Sequence, residues 1–222
     1  TGVHIINTTA DTQVVKLRLR RGSDSLDALD FNLIMSPKDE WTGSIRSDEA
    51  GVFVETDDTT CTAPIANEGT NRFRMPDTFA EGATEGYIEV IGMAQADAGT
   101  NIAINAKHKA GVPADCKAVR DNFFRVSNAD FGDATVRGVH NAALTSDGTT
   151  GATATPLSTY SDTPSDALMV SYFSRDADGG LEFGNNAVMI EGFSTVPMMT
   201  NQEALLVVDG VPVYDAFNFV QS

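Results

Sequence analysis

One six-residue stretch constrains the fold more than any other part of the chain. At residues 15–20, apolar and basic residues alternate strictly, with Val15, Leu17 and Leu19 on one face and Lys16, Arg18 and Arg20 on the other. The alternation predicts a half-exposed antiparallel strand whose apolar face lies on a core. We expect the basic face to pair with Asp and Glu residues on neighbouring strands, and a partner-binding patch is the alternative.

Further short strands, separated by turn-forming residues, are predicted along the rest of the chain. They cover residues 3–6, 29–35, 41–45, 51–56, 87–94, 168–173, 187–193 and 204–208. The segment 87–94 is apolar on parts of both faces, which favours a central position in its sheet. One short helix is predicted near 113–124, with Pro113 in its first turn, Asp115 at its positive end, and Val119 and Phe123 on one apolar stripe.

Many short strands with a single helix predict a mainly β fold. Antiparallel sheets arranged as a β-sandwich or jelly roll satisfy this pattern, and no repeat of fixed period points to a propeller or solenoid. We expect a single β-rich domain over residues 1–222, with a long surface loop at 145–166 that is rich in Ser, Thr, Gly, Asp and Pro. Because the chain does not begin with Met and ends in a strand-like run, we expect it to be part of a longer protein.

The charge balance restricts the partners of the chain. It has 31 acidic and 15 basic residues, a formal net charge of −16. Such a charge repels nucleic acids and anionic membranes and favours divalent cations. No apolar run approaches the ~20 residues that a membrane-spanning helix requires. We therefore expect neither nucleic-acid binding nor a membrane span.

The two cysteines, Cys61 and Cys116, are predicted to form a disulfide. Both lie among polar, turn-forming residues, their number is even, and the composition is typical of an extracellular protein. Two buried free thiols are the alternative. A bridge would stabilise the fold by roughly 4 kcal/mol in the chain-entropy model. It would pin the predicted helix onto the sheet and indicate an exported protein at the cell surface or outside the cell.

No catalytic motif stands out, and we expect the protein not to be an enzyme. Its three histidines, His4, His108 and His140, lie at no metal-ligand spacing, and no nucleophile elbow or phosphate-binding loop is present. No cofactor is certain, but calcium is the most credible ligand. The run from Asp176 to Asp178, followed by two glycines and Glu182, has the opening of a calcium loop.

Two alternatives concern these candidate ligand sites. The same acidic residues could form a solvated loop, as could a second acidic group made of Asp24, Asp27 and Asp30. Trp41, the single tryptophan, is predicted to pack in the core or at its rim, with stacking against a sugar as the alternative.

Several separated segments resemble a group of uncharacterised secreted proteins of Gram-negative bacteria. In that group an "N-T-T/S" turn, a "K-V-R-F-R" strand and an "L-D-F…L-S-P-x-D-x-W" run recur, and residues 7–9, 16–20 and 29–41 resemble them here. The segments around both cysteines, residues 86–93 and residues 179–184 are also similar. The resemblance implies export and a β-rich surface or matrix protein, and it implies no catalytic residues.

These patterns predict a non-enzymatic structural protein of the bacterial cell surface or extracellular matrix. Its expected partners are copies of itself, bound through exposed strand edges into a filament, or other surface proteins. A calcium- or carbohydrate-binding extracellular module is the alternative function. The resemblance adds one structural expectation, which is that another subunit supplies a strand missing from the sandwich.

Overall fold

A computed structural model describes residues 1–63, 66, 70–123, 160–176, 178–192, 206–208 and 211–213. The described strands are β1 (Gly2–Asn7), β2 (Thr12–Arg21), β3 (Asp27–Met35), β4 (Glu40–Asp48), β5 (Gly51–Glu55), β6 (Cys61–Ala63), β7 (Arg72–Arg74), β8 (Gly86–Ala96), β9 (His108–Lys109), β10 (Val112–Pro113), β11 (Leu168–Asp176), β12 (Leu181–Asn186), β13 (Leu206–Val208) and β14 (Val211–Val213). The described helices are α1 (Asp77–Ala80), α2 (Asn101–Ala106) and α3 (Cys116–Phe123). The fold is mainly β, as the sequence predicts.

Two antiparallel sheets carry most of these strands. The larger sheet has six strands in the order β12-β11-β1-β4-β5-β7, and the smaller has four in the order β6-β3-β2-β8. Two hairpins, β9–β10 and β13–β14, form separate two-stranded sheets. Non-sequential neighbours such as β1 and β11 bring segments that are far apart in the sequence into one sheet.

The main core lies between the two large sheets, which is the arrangement of a sandwich. The alternating apolar residues of β2 meet those of β1 and β3 there, and all of them are nearly or fully buried. The Phe31 ring stacks on Phe73 at a centroid distance of 3.9 Å and meets Trp41 edge-on at 6.0 Å. These three aromatic residues come from β3, β7 and β4, so they join the two sheets.

The basic face of β2 is buried, which corrects the prediction of a half-exposed strand. Lys16, Arg18 and Arg20 are 4%, 0% and 7% exposed. Carboxylates of the flanking strands β3 and β8 reach across to them, since Lys16 pairs with Asp30, and both arginines pair with Asp27 and Glu89. The cross-strand pairing itself is confirmed. A charge buried in this way is retained only when it is paired, as here.

A second core lies on the outer face of the four-stranded sheet. Val14 of β2, Ile34 of β3 and Met93 of β8 pack there beneath α2 and α3. The Cys61–Cys116 disulfide joins β6 to the first residue of α3, with the two Cα atoms 5.1 Å apart. Both the disulfide and its role of pinning the helix onto the sheet are confirmed.

The structure corrects the predicted helix. It begins at Cys116 rather than near residue 113, because Val112 and Pro113 pair with β9 as β10. Asp115 caps the helix by accepting a hydrogen bond from the Ala118 amide. The short helices α1 and α2 were not predicted, and Thr100 caps α2 by accepting a hydrogen bond from the Ala103 amide.

Two strand predictions also differ from the structure. The strand predicted centrally at 87–94 is β8, which lies at the end of its sheet. The strand predicted at 187–193 is not formed over residues 187–192. The chain instead forms β12 just before this segment. The predicted surface loop at 145–166 lies outside the described residues up to position 159.

Candidate functional site

A cleft opens between the two large sheets beside β8, where the four-stranded sheet ends. Its volume is about 1240 Å³. Apolar side chains from both sheets form its walls, among them Val3, Ile45, Ile88, Val90, Leu168 and Val170. Ile88 and Val90 are only partly buried although they lie against the main core. The cleft is therefore an extension of the core that the described part of the chain leaves open.

The cleft arises because the two sheets differ in width. The larger sheet has six strands and the smaller has four, and residues of both β8 and β11 line the cleft. The register pairs Phe183 with Ser174 and so places it on the same face as Val170, towards the cleft side. Phe183 is 61% exposed and Leu181, on that face too, is 63% exposed. Within the described ranges, this side of the larger sheet thus presents exposed apolar side chains.

The outer edge of β8 is largely unpaired within the described residues. One bridge, between Gln95 and Ser161, occupies its far end. The chain then passes close to Gly92, where an added Cβ would lie 2.5 Å from Thr163 Cγ2. No described residue pairs with 86–91 on this side, and this stretch is called the open edge here. Backbone N–H and C=O groups along such an edge can pair with an incoming strand.

Charged residues surround this apolar cleft. Glu85, Asp162, Asp166 and Arg46 are charged residues of the lining. Arg20 and Glu89 also border the cleft, and their side chains pair with each other on the opposite face of the smaller sheet. Burial opposes the charge of Arg20, but the hydrogen bond to Glu89 and the charges of Asp27 and Glu89 outweigh it and raise the pKa of Arg20. The lining includes no His, Cys or Lys among the described residues. The cleft can therefore bind an apolar segment through backbone pairing and side-chain burial.

A separate polar cluster links the β9–β10 hairpin to the turn between β3 and β4. Ser36 Oγ lies 3.0 Å from His108 Nδ1 and 3.1 Å from Asp39 Oδ2, and His108 Nε2 lies 3.2 Å from Thr59 Oγ1. Burial raises the pKa of Asp39, against the opposing effects of His108 and of the hydrogen bonds from Ser36.

This cluster has the residue types of a serine-based triad but a different geometry. In a triad, the serine and the carboxylate meet opposite nitrogens of the imidazole. Here Ser36 and Asp39 both approach Nδ1, since Asp39 Oδ2 is 3.6 Å from it, and Thr59 occupies Nε2. Ser36 is also buried, at 4% exposure. The arrangement is suited to holding two segments together.

The predicted calcium ligands do not converge. Asp176 Oδ1 accepts hydrogen bonds from the amides of Asp178 and Gly179, which closes the β11–β12 turn. Glu182 pairs with Arg175 at 3.0 Å. Over the described ranges, no group of three or more His, Cys, Asp or Glu residues could hold a metal ion. Calcium binding at Asp176, Asp178 and Glu182 stays a prediction that no contact of the structure favours.

Trp41 lies in the main core and is fully buried. The core-packing prediction is confirmed, and the sugar-stacking alternative at this residue is wrong because the indole face is not accessible. The carboxylates of the second acidic group form ion pairs within the chain: Asp24 pairs with Arg21, Asp27 with Arg18 and Asp30 with Lys16.

The chain matches no family model, no curated protein and no solved structure. The resemblance to secreted proteins therefore remains an expectation. No helix in the described part of the chain is long and apolar enough to cross a membrane. The cleft itself was not predicted from the sequence, although the partly two-sided apolar pattern of residues 87–94 was a usable signal for it.

Proposed function

We propose that this protein is a non-enzymatic structural component of the cell surface or extracellular matrix, and that it associates with copies of itself through its strand edges. The observation that carries the proposal is the open edge of β8 beside an uncovered apolar face. Natural sheet proteins usually shorten, charge or cover such edges. A long edge left free next to an apolar cleft is suited to pairing with another strand.

The exposed apolar residues support the same proposal. Phe183, Leu181, Val188 and Ile190 are between 61% and 92% exposed, and all belong to or follow the β11–β12 hairpin. Monomeric soluble proteins rarely expose large contiguous apolar patches, and such patches commonly mark interaction sites. Their concentration in one region argues for an interface rather than for scattered surface residues.

The proposed location rests on the disulfide and on the charge. Disulfides persist mainly in oxidising compartments, and Cys61–Cys116 closes a loop of 55 residues. A net charge of −16 makes copies of the chain repel each other at low ionic strength. Added salt screens this repulsion, so the proposed association should strengthen with ionic strength.

The test is sedimentation velocity of the pure protein over a wide concentration range, at low and at moderate salt. We expect species larger than the monomer to grow with concentration, and to grow more at moderate salt. A chain that stays monomeric at every concentration and salt level would contradict self-association. Repeating the series with EDTA separates this outcome from assembly that depends on a divalent cation.

A further inference from the structure

We propose that the cluster of Ser36, Asp39, Thr59 and His108 is a pH-sensitive clasp, complete only when it holds one proton more than an ionised Asp39 and a neutral His108 supply. The clasp ties the β9–β10 hairpin to the turn between β3 and β4 and to the segment before β6. The inference depends on the hydrogen bonds of the cluster and is independent of the proposed self-association.

Four contacts run through the cluster one after another. Asp39 Oδ2 lies 3.1 Å from Ser36 Oγ, and Ser36 Oγ lies 3.0 Å from His108 Nδ1. On the other side of the ring, His108 Nε2 lies 3.2 Å from Thr59 Oγ1, which lies 3.1 Å from the carbonyl oxygen of Gly111. Each contact is a hydrogen bond only if one of its two atoms brings a proton.

A neutral imidazole leaves these contacts one proton short. The hydroxyls of Ser36 and Thr59 bring one proton each and a neutral ring brings one, whereas a carboxylate and a carbonyl oxygen bring none. One of the four contacts would then set two lone pairs against each other. With one more proton, both ring nitrogens of His108 donate, and the two hydroxyls donate onward to Asp39 and Gly111.

The additional proton belongs to the pair of Asp39 and His108. Asp39 accepts hydrogen bonds from the Ser36 amide at 2.9 Å and from the Glu40 amide at 3.0 Å, which suits a carboxylate and places the proton on the ring. Burial raises the pKa of Asp39, so the carboxyl competes for the same proton. A protonated Asp39 would donate to Ser36, and Ser36 would donate to Nδ1, so all four contacts are filled in either case.

Asp39 is the charged group that faces His108 most directly. Within the described ranges it is the one carboxylate at ion-pair distance from the ring, with Oδ2 3.6 Å from Nδ1. Glu40 pairs with His4 instead, and Asp58 Oδ1 accepts a hydrogen bond from the Thr60 amide. The charged residues on the elements around the ring are Asp39 itself, Lys38 and Glu40 on the turn, Asp57 and Asp58 before β6, Lys107 and Lys109 beside His108, and Asp115 before α3.

The clasp acts on a short hairpin that lies between α2 and α3. The Ala114 amide donates to the Lys107 carbonyl at 3.0 Å and closes this hairpin, while the disulfide at Cys116 holds α3 to β6. Losing one bond of the clasp should therefore loosen residues 107–114 and leave α3 attached. Because the closed clasp binds the additional proton, low pH favours closure, and this contribution is lost as the pair releases the proton at higher pH.

Two measurements between about pH 5 and 8, the range in which histidine titrates, test the clasp. Nitrogen NMR of the imidazoles shows which ring atoms carry protons, and His108→Gln assigns the His108 signals. Hydrogen exchange of the Ala114 amide, corrected for the intrinsic rate at each pH, measures closure. In the wild type, Ala114 protection should fall by up to about tenfold as the proton leaves, while amides of β2 keep theirs.

Variants on the two sides of the ring remove the need for the proton. Ser36→Ala leaves only the Thr59 contacts and Thr59→Val only the Ser36 contacts, and a neutral ring can satisfy either set. We expect both variants to lose the pH dependence of Ala114 protection, with the neutral ring carrying its proton on Nε2 in Ser36→Ala and on Nδ1 in Thr59→Val. The matched controls Ser36→Thr and Thr59→Ser keep a hydroxyl and should retain the wild-type dependence.

The pH dependence, rather than the level of protection, decides the outcome, because either hydroxyl could also stabilise the fold. Wild-type Ala114 protection that is equal at pH 5 and pH 8 would overturn the inference. So would a wild-type dependence that persists unchanged in Thr59→Val, which alters a partly exposed contact and spares the buried Ser36. Neither result would affect the proposed self-association, which is measured separately by sedimentation.

Discussion

The two flanks of the four-stranded sheet differ in how they end. On the closed flank, defined by β6, α3 and the Cys61–Cys116 disulfide, the edge strand has three residues and a helix is bonded to it. On the open flank, defined by residues 86–91 of β8 and the β11–β12 hairpin, the edge strand has eleven residues, and the hairpin exposes the apolar side chains of Leu181 and Phe183.

Because of this difference, we link the closed flank to the stability of a single copy and the open flank to association between copies. A short, covered edge cannot accept a further strand, so the closed flank contributes to the fold of a single copy. The open flank contributes less to that fold, because its apolar groups are still in contact with solvent. Its backbone N–H and C=O groups and its exposed apolar side chains can still pair with, and be buried by, a neighbouring copy.

The largest expected effect contrasts a core residue with a residue of the open flank. Trp41→Ala removes a fully buried indole that packs on Phe31, and it should lower the free energy of unfolding by about 3–5 kcal/mol. Phe183→Ala, at 61% exposure, should change it by no more than about 0.5 kcal/mol. Urea unfolding of dilute protein measures both. Similar losses in the two variants would show that Phe183 is already buried in a single copy.

The second-largest expected effect is a loss of stability at the closed flank. Replacing both cysteines, Cys61→Ala with Cys116→Ala, should lower the free energy of unfolding by about 2–4 kcal/mol. Because the bridge ties α3 to β6, amides of α3 should lose protection from hydrogen exchange before those of β2. Self-association through the open flank should persist in the folded variant. Its loss without unfolding would show that the two flanks are coupled.

The smallest effect is electrostatic and lies at the β5–β7 end of the larger sheet, far along the sheet from β12. The side-chain hydrogen bond from Arg74 lowers the pKa of Asp48 to about 2, and the charges of Arg74 and Arg72 act in the same direction. A lowered pKa stabilises the folded state above the unfolded pKa near 3.8, and this contribution is lost as the pH falls from about 4 towards 2.

The variant Asp48→Asn removes this contribution. The difference in unfolding free energy between wild type and variant should be largest above pH 4 and should shrink towards pH 2. Asp97→Asn, in the exposed loop before α2, is the control for the loss of one carboxylate. A difference that stays constant from pH 5 to pH 2 would contradict the role assigned to Arg74.

The sequence predicts the closed part of the fold better than the open part. The alternation at 15–20 identifies β2 because a strand between two neighbours keeps a strict period of two. It does not show that the basic face is buried, since that depends on Asp27 and Glu89 arriving from two other strands. The pairing of Cys61 with Cys116 could be inferred because these are the only two cysteines.

The open flank was not predicted from the sequence, and the reasons are physical. In β8, Ile88 and Val90 face the main core while Ile91 and Met93 face the second core, so an edge strand has the composition of a central one. The strand β12 was missed because the apolar run at 187–190 has the stronger β propensity. The turn capped by Asp176, with Gly180 at φ +64°, reverses the chain earlier and makes the next strand begin at Leu181.

Hydrogen exchange at the two edges of the four-stranded sheet, measured at low and at high protein concentration, tests the central claim most directly. We predict that amides of residues 86–91 exchange faster in dilute protein and become protected as the protein associates. The amides of β6 should exchange equally at both concentrations, because that edge belongs to the closed flank. Protection of residues 86–91 that is the same at every concentration, while larger species form, would contradict the account.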